Sequence, residues 1–126
     1  GNCPKCLFTY VILSPFLPQK KLEKIFGSNL LKDESLAPFM DELNGKTATK
    51  PFECVGTPEE VNAAVWKSVE TKNTDLEYPL VTIAGNADNI RQNIRFNKLL
   101  VSLNQEHLLP EKFFHIIKQA IADAAV

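Results

Sequence analysis

The chain has 126 residues, with 14 Lys and Arg against 15 Asp and Glu for a net charge of -1, and 44% of it is hydrophobic. That length and composition fit one globular domain, residues 1–126, with enough apolar material to bury a core without a covalent staple. A near-neutral balance supplies none of the broad positive field that nucleic-acid binding needs, so no nucleic-acid partner is expected. The longest apolar run, Leu7 to Leu13, is interrupted by Thr9 and followed by Ser14 and Pro15, far short of the roughly 20 residues of a membrane span. The start, Gly1-Asn2-Cys3, shows no signal or transit peptide, which a mature chain relieved of its leader would lack as well.

Asn2 to Ser14 reads in two ways. Asn2 can cap a helix with Cys3 and Pro4 in its first turn, and Cys3, Cys6, Leu7, Tyr10 and Val11 keep helical spacing. The aromatic and β-branched run Phe8 to Ile12 also suits a strand, and the spacing favours the helix. After Pro15 and Pro18, the residues Leu22, Ile25 and Phe26 form an apolar stripe, opposed by Lys20, Lys21, Glu23 and Lys24 and stopped near Gly27. Ser35 is expected to cap a second helix carrying Leu36, Phe39, Met40 and Leu43, with Pro38 tolerated in its first turn and Asn44-Gly45 as the stop.

Lys46 to Gly56 has no helical period and reads as a linker with a short extended piece at Phe52 to Val55. It separates a less certain part, residues 1–56, from core helices in 57–126. Thr57-Pro-Glu-Glu60 is a strong helix start, a Thr cap with Glu three residues on, and Val61, Ala64, Val65 and Val69 follow as the buried face. Asn73 to Asp75 breaks that helix. Leu80 to Ile83 fits a buried strand, whereas Leu76, Leu80, Ile83, Ala87, Ile90, Ile94 and Val101 trace one long helix with Gly85-Asn86 as its weak point, and the long helix is preferred. Pro110 opens a last helix with Phe113, Ile117, Ala120, Ile121 and Ala124 on one face. The predicted fold is mainly α, an up-and-down bundle of about four helices with an added N-terminal helical segment. The competitor is a small α/β sandwich built on Leu7–Leu13, Phe52–Val55 and Leu80–Ala84.

Among chemistry-bearing residues, Cys3-Pro-Lys-Cys6 stands out. A C-x-x-C pair at a helix N-terminus beside a Lys has lowered thiol pKa values, but redox enzymes place it after a strand, and none precedes it here. A structural zinc needs four ligands, and Cys54, His107 and His115 complete no known spacing, so no metal or other cofactor is expected. A disulfide within the pair, or from Cys54 to one member, would imply an oxidising compartment, and three free thiols a reducing one. Neither histidine has a carboxylate placed for acid–base work, and no G-x-S-x-G turn or glycine-rich phosphate loop is present. Two basic faces remain as partner-docking candidates, Lys20, Lys21 and Lys24 with Lys32 nearby, and Arg91, Arg95 and Lys98 at i, i+4, i+7.

Asn89-Ile90-Arg91, Ile94, Leu99, Leu100 and Leu103, then Leu108-Leu109-Pro110, Phe113-Phe114 and Ala120 to Ala124, resemble the last two helices of the PsbQ-type extrinsic subunits of photosystem II. The resemblance covers residues 57–126. It implies a non-catalytic four-helix bundle in the thylakoid lumen, peripheral to the membrane without spanning it, which docks on photosystem II subunits and stabilises the oxygen-evolving complex. Two other readings stay open: a thiol/disulfide or metal-binding protein using Cys3, Cys6 and Cys54, and a cytosolic helical adaptor.

Overall fold

The structure, a computed structural model, describes residues 2–49, 55–85 and 89–124, the side chains of 89–94 and 124 excepted. It is mainly α: α1 (Pro4–Leu13), α2 (Gln19–Phe26), α3 (Ala37–Leu43), α4 (Pro58–Glu70), α5 (Pro79–Ala84), α6 (Asn89–Val101) and α7 (Glu111–Ala124), with two 3-10 turns, Leu30–Lys32 and Glu34–Leu36, ahead of α3. The two readings of Leu7–Leu13 and of Leu80–Ala84 both resolve to helix, and no strand occurs among the described residues. The α/β alternative therefore loses two of its three strands. Most of the third, Phe52 to Val55, lies outside the described residues.

Local chemistry explains where the helices start and stop. α4 carries a full capping box, the Thr57 hydroxyl accepting from the Glu60 amide and the Glu60 carboxylate accepting from the Thr57 amide at 2.7 Å. α2 ends at Gly27 and the turn after α3 passes through Gly45, both with positive φ, 84° and 83°, which only glycine adopts without strain. At Gly45 a β-carbon would also lie 3.0 Å from that of Pro58, so glycine is required there for space as well. Two caps differ from expectation. Cys3, not Asn2, caps α1, because its extended backbone aims Sγ at the Cys6 amide. Asp33, not Ser35, opens the second segment, its carboxylate accepting from both the Ser35 amide and the Ser35 hydroxyl.

The single long helix across Leu76–Val101 does not form. Pro79 can sit only in a first turn, and Gly85 at φ -70°, ψ 127° is extended and closes α5 after six residues. Of the apolar stripe that suggested continuity, Leu80 and Ile83 fall in α5 and Val101 in α6, while Ala87 and the side chains of Ile90 and Ile94 lie outside the described residues.

The core draws most heavily on the part of the chain before Gly56. Leu7, Tyr10 and Val11 of α1, Leu22 of α2, Leu30, Leu31 and Leu36 of the 3-10 turns, and Met40 and Leu43 of α3 meet Val61, Ala64 and Val65 of α4 and Leu80 and Val81 of α5, all nearly inaccessible to solvent. α4 packs on α1 and α6, and α3 on α5 and α1. The expectation that residues 57–126 hold the core helices, with the rest beside them, places this cluster differently. The last helix forms as expected, yet its apolar residues are only partly covered: Phe113 is 47% exposed and Ile116 64%, while Phe114, Ile117 and Ile121 are half-buried. Periodicity revealed the helix; it did not reveal whether anything lies against it.

Candidate functional site

Three places carry chemistry beyond packing. The first is the start of α1, where the Sγ atoms of Cys3 and Cys6 lie 3.1 Å apart as free thiols, Cys3 exposed and Cys6 half-buried. The Cys6 amide also points at Cys3 Sγ, at 3.4 Å. Hydrogen bonding from the Cys6 side chain, and then from its amide, draws the Cys3 thiol below the usual range. Cys6 moves the other way, chiefly through the side-chain hydrogen bond it shares with Cys3, with burial adding to the shift. Cys54 lies outside the described residues.

The second is a polar cleft of about 400 Å³ that sequence reading missed. It opens between the start of α2 and the turn joining α4 to α5, and is lined by Gln19, Lys72, Thr74, Asp75 and Tyr78 over the apolar floor of Val69 and Leu76. The Tyr78 hydroxyl donates to Gln19 Oε1 at 2.8 Å, and Gln19 Nε2 donates to Glu23 at 2.6 Å, so the cleft wall is held in one hydrogen-bonded chain. Lys32 Nζ lies 4.8 Å from the centre of the Tyr78 ring. Lys72 has φ 60°, a left-handed conformation costing a residue with a β-carbon about 1–2 kcal/mol. The surrounding turn imposes it. Asn73 Nδ2 donates to the carbonyls of Ser14 and Pro15 at 3.1 and 3.3 Å, pinning the turn to the end of α1. The signal in the sequence was the turn Asn73 to Asp75, read only as a helix break; nothing local showed that it would close over Gln19, more than fifty residues earlier.

The third is an apolar groove of about 280 Å³ between α1, α4 and α6, walled by Phe8, Ile12, Phe16, Phe96 and Leu99, with the carboxylate-bearing Glu60 at its edge. Phe16 and Phe96 face each other with ring centres 5.9 Å apart.

The predicted docking residues do not converge on one surface feature. Lys20, Lys21 and Lys24 are exposed on α2. Arg95 and Lys98 are exposed on α6, Arg95 lying 4.0 Å from Glu59 of α4. The side chain of Arg91 lies outside the described residues. His107 stacks at 4.4 Å on Phe114, and its Nδ1 accepts from the Leu109 amide. Among the described residues no three His, Cys, Asp or Glu side chains gather as a metal site, and no helix is long and apolar enough to cross a membrane.

A small helical domain with a capped thiol pair and a polar cleft defines a class of part rather than a whole machine, and comparison with known proteins identifies which. The family profile of the MurL C-terminal domain matches residues 1–95, three quarters of the sequence, and the chain belongs to that family. It is 48% identical over 59 residues to the UDP-N-acetyl-alpha-D-muramoyl-L-alanyl-L-glutamate epimerase of a Micromonospora species, a match covering 47% of this chain and 13% of that enzyme. The enzyme of the same name from Xanthomonas oryzae is 46% identical over 65 residues, 52% of this chain and 14% of the relative. Salinispora tropica supplies another, 46% identical over 59 residues. The aligned stretch is thus about a seventh or less of the length of these relatives. No solved structure matches the chain.

These findings overturn the photosystem II reading. The family match begins at residue 1 and takes in the segment that the PsbQ-type resemblance left unaccounted for, while that resemblance rested on loosely spaced apolar residues that any amphipathic helix pair supplies. Photosynthesis, the extrinsic-subunit role and the thylakoid lumen go with it, the relatives being bacterial epimerases. The expectation of a protein outside enzyme chemistry is likewise corrected, since the family is a domain of an enzyme. The readings as a thiol or metal protein and as an adaptor are displaced as accounts of what the protein is for.

Proposed function

We propose that this chain contributes to an enzyme that inverts the glutamate of UDP-N-acetylmuramoyl-L-alanyl-L-glutamate, and that its part is to frame the substrate through the polar cleft. The family match over residues 1–95 is the observation that carries the reading. The cytoplasm, the alternative location, suits a UDP-linked substrate.

Inversion at Cα requires a proton to leave one face and return on the other, which two proton-handling groups flanking the carbon accomplish most directly. With each reacting atom about 3–3.5 Å away, the two groups stand roughly 6–7 Å apart. Cys3 and Cys6, at 3.1 Å, leave no room for a carbon between them and do not form that couple. The cleft supports a binding role instead. Lys72 offers positive charge to a substrate bearing carboxylates and a diphosphate, and Thr74, Tyr78 and Gln19 offer hydroxyl and amide contacts.

The test grafts residues 1–95 in place of the matched segment of the Xanthomonas oryzae epimerase. The chimaera is incubated with UDP-N-acetylmuramoyl-L-alanyl-L-glutamate, the product is hydrolysed in acid, and the freed glutamate is resolved on a chiral column. D-glutamate is expected, with K72A raising KM more than it lowers kcat. A folded chimaera that leaves all glutamate in the L form would end the proposal.

A further inference from the structure

The cysteine pair has no place in the proton chemistry, yet its arrangement is specific. Cys3 is an exposed helix N-cap, its sulfur receives the Cys6 amide, and the partner sulfur is already within 3.1 Å. A disulfide needs about 2.05 Å between sulfurs, so roughly 1 Å of approach by side-chain rotation separates the thiols from a bond. We propose that Cys3 and Cys6 form a thiol–disulfide exchange site on this domain, in which Cys3 attacks a low-molecular-weight disulfide and Cys6 resolves the mixed disulfide.

The step balances without any further reagent. The Cys3 thiolate attacks one sulfur of the small disulfide, whose S–S bond breaks, and the departing thiolate takes up the proton that Cys3 lost. Cys6 then gives up its proton and attacks the Cys3 sulfur, breaking the mixed disulfide and releasing the second small thiol. The protein pair is oxidised by two electrons, and one small disulfide becomes two thiols.

The roles are set by position. Cys3 is exposed and reachable, whereas Cys6, half-buried in the first turn of α1, is less accessible and lies beside whatever is bound to Cys3. The opposite displacements of the two thiols described above agree with that order. Oxidation would tie the cap of α1 to its first turn, and α1 packs on α3 and α4. The pair therefore sits where a redox change reaches the core. The inference does not depend on the epimerase reading and is read by chemistry that the reading does not share.

The test uses the 126-residue chain and its C54S variant, equilibrated with oxidised and reduced glutathione, quenched with an alkylating agent and mapped by mass spectrometry. The expected result is a Cys3–Cys6 disulfide in both proteins, with Cys3 of the reduced chain alkylated at least about 10-fold faster than Cys6 at pH 7. C6S should trap glutathione on Cys3, and C3S should react far more slowly at Cys6. Far-ultraviolet circular dichroism checks that both variants keep their helices. A pair that stays reduced across the series, equal alkylation rates, equal trapping in C3S and C6S, or a disulfide that recruits Cys54 would each overturn the proposal.

Discussion

α1 and α7 both carry aromatic and branched apolar residues at helical spacing, and the structure treats them oppositely. Leu7 and Val11 of α1 are wholly buried and Tyr10 is 1% exposed, whereas on α7 Phe113, Ile116 and Ala120 face solvent. The difference lies outside the two helices. α1 is met by α3 and by α4, which its capping box anchors, while α7 follows nine residues after α6 and, among the described residues, contacts little but that helix. An apolar stripe is thus a statement about a helix's capacity to pack, and burial depends on whether another element arrives with a matching surface.

The sharpest way to break this comparison is to truncate one side chain on each helix. L7A should cost about 2–5 kcal/mol in urea unfolding, because the cavity opens in a closed core. I116A, exposed, should stay within about 0.5 kcal/mol. Equal losses would mean that α7 is packed in solution.

A pH series reads the same contrast through Tyr10. Burial foremost, then the nearby Glu23 and Tyr78, pushes its hydroxyl above the ordinary tyrosine range. The unfolded chain releases that proton near pH 10 while the folded chain keeps it, so the folded state binds more protons and stability must fall as pH rises beyond about 10. The slope reaches at most about 1.4 kcal/mol per pH unit, and Y10F should flatten it. An unchanged alkaline limb in Y10F would show that the phenol is solvated.

Smaller effects test the anchors. T57A should lose about 1 kcal/mol by removing the cap of α4, seen as a lower urea midpoint at constant slope. K72G should gain up to about 1 kcal/mol by relieving the left-handed backbone, less what glycine adds to the freedom of the unfolded chain. R95A should change stability by under about 0.5 kcal/mol, since the Arg95–Glu59 pair is exposed and 4.0 Å long.

Helix starts and stops were the most legible part of the fold, because Thr57, Pro58, Glu60, Gly27 and the Asn44-Gly45 stop act on their own neighbours. The break at Gly85 leaves only a faint mark, since one residue with no side chain interrupts an apolar spacing that otherwise runs on from Leu76 to Val101. The core's location was not legible: it depends on which faces meet, and Leu30 and Leu31 sit in a 3-10 turn that no period advertises. For the sites, Cys3 and Cys6 were visible as a spacing. The cleft was not, because Gln19 and Tyr78 are joined by a hydrogen bond across 59 residues, and pairwise chemistry at that range leaves no local mark.

The clasp of Asn73 on the Ser14 and Pro15 carbonyls also bears on how the molecule is assembled. Helices of this length wind in about a microsecond or less, but a contact between positions 58 and 59 residues apart waits on the search that closes the intervening loop. The entropy of that closure grows only with the logarithm of loop length, so lengthening the segment around residues 46–49 should be cheap. The cleft depends on that closure: Gln19 and Tyr78 form its wall only once the two ends of the loop have met.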